Sequence, residues 1–465
     1  MRLRERYIGD RKFYSDILKL TIPIMVQNAI SNFVGLLDNL MIGRLGTNAL
    51  SGVSIANQMM FIYYLLLFGA TAGAGIFTAQ YHGMKDVNGV RETFRFKIIL
   101  NLILSGIAAV IFIFFGSAFI GAFLHGEGLA SDAAATLAIG REYLTVMIVS
   151  MLPHSISMAY SGTLRDTGET AAPMKASFVA VFVNLIGNFI LIYGYLGFPA
   201  LGARGAAIAT VISRFVELAI LILYTHRNSE KHPFITGAYR TLKIRPGMAG
   251  KYLVKSLPLI LNETLWSGGT TFLNQSYSLK SLNAVAALNI ESTLFNLLGV
   301  AFLAMGEGVG IMVGHTLGSG RIEKAKSDAV KYIAFTVFCG FICGILQVAI
   351  SPFFPMLYNT SQEVRALATK FIIVFGCLMP VIAYAHPAYF IIRAGGRAFI
   401  TFLFDSCFVW VVSVPTAYFL SRYTNINVVL MVAIVQALEL PKACIGGIMV
   451  HSGIWAKQIV KKENT

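Results

Sequence analysis

The sequence predicts an all-α polytopic membrane protein with about twelve transmembrane helices in two six-helix bundles. Of its 465 residues, 56% are hydrophobic and only 13% are charged, and the mean hydropathy is +0.70. Soluble domains carry far more charge than this. Uncharged runs such as 98–120 and 332–354 are long enough to cross the hydrocarbon core as helices, which takes roughly 20 residues. The chain is therefore expected to cross a lipid bilayer many times.

Apolar stretches separated by polar or glycine-containing turns predict the individual helices. In the first half they cover roughly 16–40, 52–80, 95–120, 138–162, 171–196 and 203–225. In the second half they cover roughly 252–276, 285–314, 330–354, 364–390, 398–421 and 426–451. The largest break, 226–251, is polar, basic and contains two prolines. We expect it to be a cytoplasmic loop between an N-terminal lobe (1–225) and a C-terminal lobe (252–465).

An internal repeat relates the two halves. At a shift of 235 positions, Pro23 falls on Pro258. Further residues match in the same order: Asn48-Ala49 with Asn283-Ala284, Gly73 with Gly308, Gly75 with Gly310, and Gly83 with Gly318. Six helices is an even number, so both halves enter the membrane from the same side. They are expected to be parallel repeats related by a pseudo-twofold axis along the membrane normal, around a central cavity.

The net charge of +15 invites a nucleic-acid function, but the placement of the charges predicts topology. With the N-terminus on the cytoplasmic side, 28 of the 37 Lys and Arg residues lie on that side and only six lie opposite. This asymmetry is the positive-inside rule, and it predicts that both termini are cytoplasmic. We therefore expect no nucleic-acid partner.

Asp38 is the one charged residue in the first long apolar segment, 20–43. A carboxylate inside a membrane helix is costly to keep, so it indicates a functional site by default. The alternative is that Asp38 lies at the membrane surface and merely ends the helix.

Asn184 and Asn188 are four residues apart in the fifth predicted helix, so they share one face. Their amide oxygens suit a hard monovalent cation, whereas their amide nitrogens would hold Asp38 in place by hydrogen bonds. A third interpretation is contact between helices, because polar residues commonly hydrogen-bond within membrane bundles.

The second half carries more acidic residues. Glu263 follows Pro258 in the seventh predicted helix, Glu307 lies in the glycine-rich part of the eighth, and Asp405 lies early in the eleventh. Two further acids, Glu217 and Glu439, each stand three residues from a basic residue, Arg214 and Lys442 respectively. That spacing allows ion pairs within one helix, so both acids are predicted to be neutralised structurally.

Motifs of enzyme chemistry are missing from the sequence. It contains no GxxxxGK[ST], HExxH or GxSxG pattern, and the glycines of 69–75 lie inside an apolar helix. The five cysteines lie in apolar segments without His or carboxylate partners, so a metal site is not expected. We predict a non-enzymatic protein without a bound metal or cofactor, driven by an ion gradient.

The chain resembles the multidrug and toxic compound extrusion (MATE) transporters over nearly its whole length. The resemblance is carried by LTIPIMVQNAISNFVGLLDNLMIGRLG at the first helix, by the GMKD and GSGR turns, by GTLRDTGET, and by LGARGAAIATVIS. It implies a monomeric inner-membrane antiporter that expels cationic or amphipathic organic compounds in exchange for inward H+ or Na+.

The resemblance also implies residue roles. Asp38 matches the family's first-helix carboxylate, Asn184 a polar position beside it, and Glu263 the acid of the seventh helix. Asn188 stands where some members have Asp, and the tenth helix lacks an Asp that some members carry before the arginine matching Arg393. Asp405 is our candidate to replace that carboxylate.

Two other functions are compatible with parts of this pattern. A flippase for a lipid-linked precursor would favour additional helices and a strongly cationic cavity, whereas the charges within the predicted spans are mainly acidic. A membrane-embedded sensor or enzyme would not need two complete repeats and would be expected to show a catalytic motif.

Overall fold

A computed structural model of the chain describes residues 7–124 and 130–461. The protein is 85% helical, and no strand occurs among the described residues. Twelve long helical segments follow one another along the described chain, so the predicted all-α fold class is confirmed.

The first half forms six helices. They are α1 (Arg11–Gly43), α2 (Thr47–Gly83), α3 (Val87–Ala122), α4 (Ala130–Asp166), α5 (Ala171–Tyr193) and α6 (Gly202–Arg227). Five of the predicted segments lie inside these helices and omit their ends, whereas the fifth, 171–196, extends three residues past the end of α5.

The second half forms six more. They are α7 (Met248–Ser278), α8 (Leu282–Gly318), α9 (Ile322–Ile350), α10 (Gln362–Ala394), α11 (Ala398–Tyr423) and α12 (Val428–Ser452). Helix α11 contains two π-helical stretches, Leu403–Cys407 and Val409–Ser413, and α12 is interrupted at Leu438.

Eleven of these helices are long and apolar enough to cross a membrane. The exception is α7, which has 31 residues but carries Lys251, Lys255 and Glu263 together with several amide and hydroxyl side chains. Its length would suffice to span a bilayer, so α7 differs from the other helices in its polar composition and not in its length.

Helix boundaries repeat between the two halves. Helices α2 and α8 each contain 37 residues, and both their first and their last residues lie 235 positions apart. Helices α3 and α9 begin at the same separation. The internal repeat read from scattered glycines and prolines thus extends to the helix ends.

The described chain divides into two compact units. One comprises the residues up to Met25, Ala79–Asp86 and the chain from Leu257 onward; the other comprises Val26–Thr78 and Val87–Ser256. We call them unit 1 and unit 2. The lobe boundaries at 225 and 252 stay a prediction, because these units are defined by packing and not by the repeat.

Three helices, α1, α2 and α7, have residues in both units. Helix α1 passes from one unit to the other between Met25 and Val26, and α7 between Ser256 and Leu257. The matched prolines Pro23 and Pro258 lie within two residues of these points. A proline inside a helix removes one backbone hydrogen bond and permits a bend.

Close backbone contact joins the end of α2 to the end of α8 within unit 1. A Cβ atom added to Gly318 would lie 1.9 Å from the carbonyl oxygen of Gln80, and one added to Gly83 would lie 2.1 Å from that of His315. Only glycine fits at either position without moving the backbone.

The segment between α6 and α7 packs on α3 within unit 2. Arg95 donates hydrogen bonds to the carbonyl oxygens of Gly237 and Ala238. The Arg245 guanidinium forms an ion pair with Glu92. This segment is therefore held against a helix by named contacts and is not a free linker.

Candidate functional site

Asp38 lies near the end of α1 and is contacted by α5. The side-chain amide of Asn188 donates a 2.6 Å hydrogen bond to Asp38 Oδ1. Asn188 is 1% exposed, whereas Asp38 remains half-buried. The carboxylate is therefore anchored on one side by a buried amide and accessible on the other.

Asn184 extends this contact toward α6. Asn188 Nδ2 donates a second hydrogen bond to Asn184 Oδ1 at 3.3 Å, and Asn184 Nδ2 donates to Thr210 Oγ1 at 3.1 Å. Thr210 in turn donates to the carbonyl oxygen of Ala206. Three of the six helices of the first half thus contribute to one polar chain.

The orientation of Asn188 bears on the interpretations left open by the sequence, which stay predictions. Its amide nitrogen faces both Asp38 and Asn184, so it acts as a donor that holds the carboxylate. Its Oδ1 atom is buried and has no hydrogen-bond partner. A buried acceptor without a partner costs free energy, on the order of 1–3 kcal/mol.

A second polar network lies in the same unit. Glu217 accepts hydrogen bonds from Ser177 at 2.7 Å and from Arg214 at 2.8 Å. Ser177 also accepts from Gln27, which in turn accepts from Arg165. The predicted Arg214–Glu217 pair within one helix is confirmed. Arg214 is also close enough to Asp38 for their charges to attract each other.

Unit 1 contains the acidic residues predicted for the second half. Asp405 in α11 forms a 2.8 Å ion pair with Lys442 in α12 and accepts a 3.0 Å hydrogen bond from Asn262 in α7. Glu439 lies 3.3 Å from the same ammonium, so the predicted Glu439–Lys442 pair is confirmed. Asp405 is thus already neutralised by a cation of the chain itself, which the sequence interpretation did not foresee.

Glu263 and Glu307 lie near this cluster but make different contacts. Glu263 is half-buried and interacts electrostatically with Asp405 and Arg393. Glu307 is half-buried in α8 and lies near His386. His386 Nε2 itself lies 3.2 Å from the carbonyl oxygen of Leu303. The three predicted acids therefore lie in one unit, with Asp405 and Glu263 as neighbours.

Local backbone irregularities accompany the Asp405 contacts. Asp405 and Ser406 lie in the π-helical stretch Leu403–Cys407, and π-turns inside α-helices are frequent at functional sites. The hydroxyl of Ser406 donates to the backbone and side-chain oxygens of Asn262 at 2.6 and 2.8 Å. These bonds fix α11 to α7 at the depth of Asp405.

Sequence reasoning missed the contacts of Thr210 and Asn262 and the ion pair between Lys442 and Asp405. Asn262 directly precedes Glu263, and polar neighbours on consecutive helix positions point in different directions. The amide in the sequence LNETL was nevertheless a detectable signal, because it stands in the same helical turn as a predicted acid. Nothing in the sequence indicated that Lys442 reaches α11.

A family model described as MatE matches residues 23–190 and 258–419 of this chain. The two matched stretches cover most of the chain and correspond to the two halves of the repeat.

Similar proteins are found among bacterial multidrug resistance proteins. The chain is 24% identical over 431 residues to the probable multidrug resistance protein NorM of Thermotoga maritima, covering 89% of this chain and 86% of that protein. It is 25% identical over 416 residues to the probable multidrug resistance protein NorM of Oceanobacillus iheyensis, covering 88% and 90%.

Solved structures share the fold. A structure described as MATE in the bent conformation has a TM-score of 0.85 at 20% identity and covers 96% of both chains. An outward-facing multidrug resistance MATE family transporter has a TM-score of 0.83 at 19% identity, covering 97% of this chain and 98% of the other.

Proposed function

Because this chain belongs to the MatE family of multidrug efflux transporters, we propose that it is a secondary active antiporter. It exports cationic or amphipathic organic compounds in exchange for protons that move inward. The hydrogen bond from Asn188 to Asp38 carries the proposal, because it places a single accessible carboxylate where both a proton and a cation can compete for it.

Competition for one charge makes the exchange obligatory. Ionised Asp38 attracts a cationic compound, and protonation removes that attraction. A buried site strengthens both effects, because charges interact more strongly where water is scarce. The carboxylate therefore holds either the proton or the exported cation.

The contacts of Asp38 favour H+ over Na+. Sodium binding requires several oxygen ligands pointing at one position, whereas Asn188 presents its N–H group to the carboxylate. A proton needs only the carboxylate itself.

Alternating access needs places where helices can bend. Pro23 in α1 and Pro258 in α7 lie within two residues of the points where those helices pass between the units. Asp38 is on the same helix as Pro23. We propose that a change in the charge of Asp38 alters the bend of α1 at Pro23.

The remaining features of this proposal concern location, assembly and partners. The protein acts as a monomer in the cytoplasmic membrane, with both termini in the cytoplasm. It acts without an enzymatic step or a resident cofactor. Its partners are the lipid bilayer and small organic cations.

Efflux of a fluorescent cation from proteoliposomes tests the proposal. The purified protein is reconstituted, and a pH gradient or a Na+ gradient is imposed separately. We expect efflux with the pH gradient alone. Efflux driven only by Na+ would contradict proton coupling, and efflux with neither gradient would contradict antiport and return attention to a flippase.

A further inference from the structure

The Lys442 side chain is a buried cation surrounded by acidic groups of unit 1. Its side chain is 11% exposed, and its Nζ lies 2.8 Å from Asp405 Oδ1 and 3.3 Å from Glu439 Oε1. The same ammonium lies 5.9 Å from the centroid of the Phe404 ring, which adds a cation–π contact. Two carboxylates and one ring face therefore converge on a single positive charge.

The shorter of the two ion pairs joins different helices. Glu439 precedes Lys442 by one helical turn, but Asp405 belongs to α11. A pair that only neutralised a charge within α12 would not need Asp405. Because the ammonium lies closer to Asp405, its principal contact is the carboxylate that sequence reasoning assigned to ion or substrate binding.

The backbone adjusts to this arrangement on both helices. Helix α12 is interrupted at Leu438, just before Glu439, and Pro441 follows in the next segment. A proline cannot donate the backbone hydrogen bond of a regular helix. Helix α11 widens into a π-helical stretch at Asp405. Asn262 fixes the other carboxylate oxygen of Asp405 at 3.0 Å.

We propose that the Lys442 ammonium is a tethered cation that fills a monovalent-cation site formed by Asp405 and Glu439. An exchangeable Na+ cannot bind there while the ammonium is present. Two ionised carboxylates at this depth are costly without a counter-charge, and a lysine of the chain supplies it permanently. This inference rests on the proposed function, since it leaves Asp38 as the exchangeable carboxylate.

The proposal predicts that removing the ammonium creates a sodium site. In Lys442→Met the side chain keeps a similar length but loses its charge, which leaves Asp405 and Glu439 facing a small space without a cation. Carboxylate oxygens are ligands suited to hard cations. Ser406 Oγ is a further oxygen atom near this space, whereas Asn262 presents its amide nitrogen to Asp405 and its Oδ1 accepts from Ser406.

The experiment measures thermal unfolding of the purified full-length chain in detergent with NaCl or choline chloride at equal ionic strength. We expect no Na+-specific change of Tm for the unmodified protein and a saturable rise of several degrees for Lys442→Met. Lys442→Arg keeps a cation and should show no rise. Lys442→Met combined with Asp405→Asn should lose the gain.

A matched control is Lys326→Met. Lys326 pairs with Glu323 three residues away, as Lys442 does with Glu439, but that pair lies on the surface. Its substitution should produce no Na+-specific change.

Two results would overturn the proposal. One is a folded Lys442→Met protein without a Na+-specific rise in Tm. The other is an unmodified protein that Na+ already stabilises in a manner abolished by Asp405→Asn, and this result does not depend on whether the lysine variant folds. Because binding is measured without transport, failure of proton-driven efflux would leave this test unaffected.

Discussion

Asn188 donates a 2.6 Å hydrogen bond to Asp38 across 150 positions of sequence. The bond joins the last part of α1 to the last part of α5 within unit 2. It makes Asp38, the one charged residue of the segment 20–43, part of a chain of polar contacts that reaches Thr210.

Asp38→Asn should abolish proton-driven efflux while leaving the protein folded. The substitution preserves shape but removes the group that exchanges a proton for a cation. Efflux from proteoliposomes and size-exclusion behaviour provide the two measurements. Asp132→Asn is the matched control, because Asp132 is an exposed acid of the same unit. Undiminished efflux by Asp38→Asn would remove Asp38 from the mechanism.

Asn188→Ala should reduce efflux more than Asn184→Ala does. Asn188 contacts the carboxylate directly, and a hydrogen bond to a charged group contributes about 1.5–3 kcal/mol, equivalent to roughly 10- to 100-fold in rate or affinity. Asn184 acts only through Asn188. Transport rates across a range of substrate concentrations separate the two, and equal losses would contradict a direct role for Asn188.

Glu263→Gln tests whether unit 1 takes part in ion coupling. Glu263 neighbours Asp405, which is already paired with Lys442. We therefore expect efflux driven by the pH gradient to continue, with any loss appearing in the dependence on substrate concentration. Loss of the response to the pH gradient itself would place coupling in unit 1.

Glu169→Gln should lower stability at neutral pH but not in acid. Burial acts to raise the pKa of Glu169, but its hydrogen bond and ion pair with Lys231 outweigh this, and the pKa is lowered from its ordinary value of 4.5. A lowered carboxyl pKa stabilises the fold above the unfolded-state pKa, and that contribution is lost as the pH falls through the folded-state value.

The expected loss for Glu169→Gln is below about 1 kcal/mol, because Lys231 is largely exposed to solvent. Thermal unfolding at pH 7 and at about pH 3, below the ordinary pKa of the carboxyl group, gives the comparison. Glu230→Gln, an exposed acid of the same polar segment, serves as control. An equal Tm difference at both pH values would show that the pair contributes by packing and not by charge.

Gly318→Ala should destabilise the protein by about 1–3 kcal/mol or more, the range for overpacking a close contact. The added methyl group would lie 1.9 Å from a backbone oxygen that cannot rotate away. Gly106→Ala is the control, since a Cβ there meets nothing within 4 Å, and a helical Gly→Ala change is favourable. Gly318→Ala should have a lower yield and a lower Tm than the unmodified chain, and Gly106→Ala should have a higher yield and a higher Tm.

The helices could be predicted because membrane insertion imposes a simple requirement. Each span must satisfy its own backbone hydrogen bonds, so apolar length alone marks it. The repeat was visible for a related reason: glycines such as Gly83 and Gly318 are required where backbones touch, and such positions keep their spacing.

The contacts of the site were harder to predict. Asp38 and Asn188 were selected because polar groups are expensive in a membrane, and that cost depends on the residue alone. Whether Asn188 reaches Asp38 at all depends on how α1 and α5 are rotated. Lys442 was assigned to Glu439 by spacing, whereas its closer partner comes from a helix whose π-turns no periodicity indicated.

The contacts at Gly83 and Gly318 have the form of an isologous interface. Gln80 lies against Gly318 and His315 lies against Gly83, and each pair is the other displaced by one repeat. This reciprocal pattern is what two copies of a six-helix chain present when they pair about a twofold axis. The α2–α8 contact thus has, inside one polypeptide, the local twofold symmetry of an interface between two identical chains.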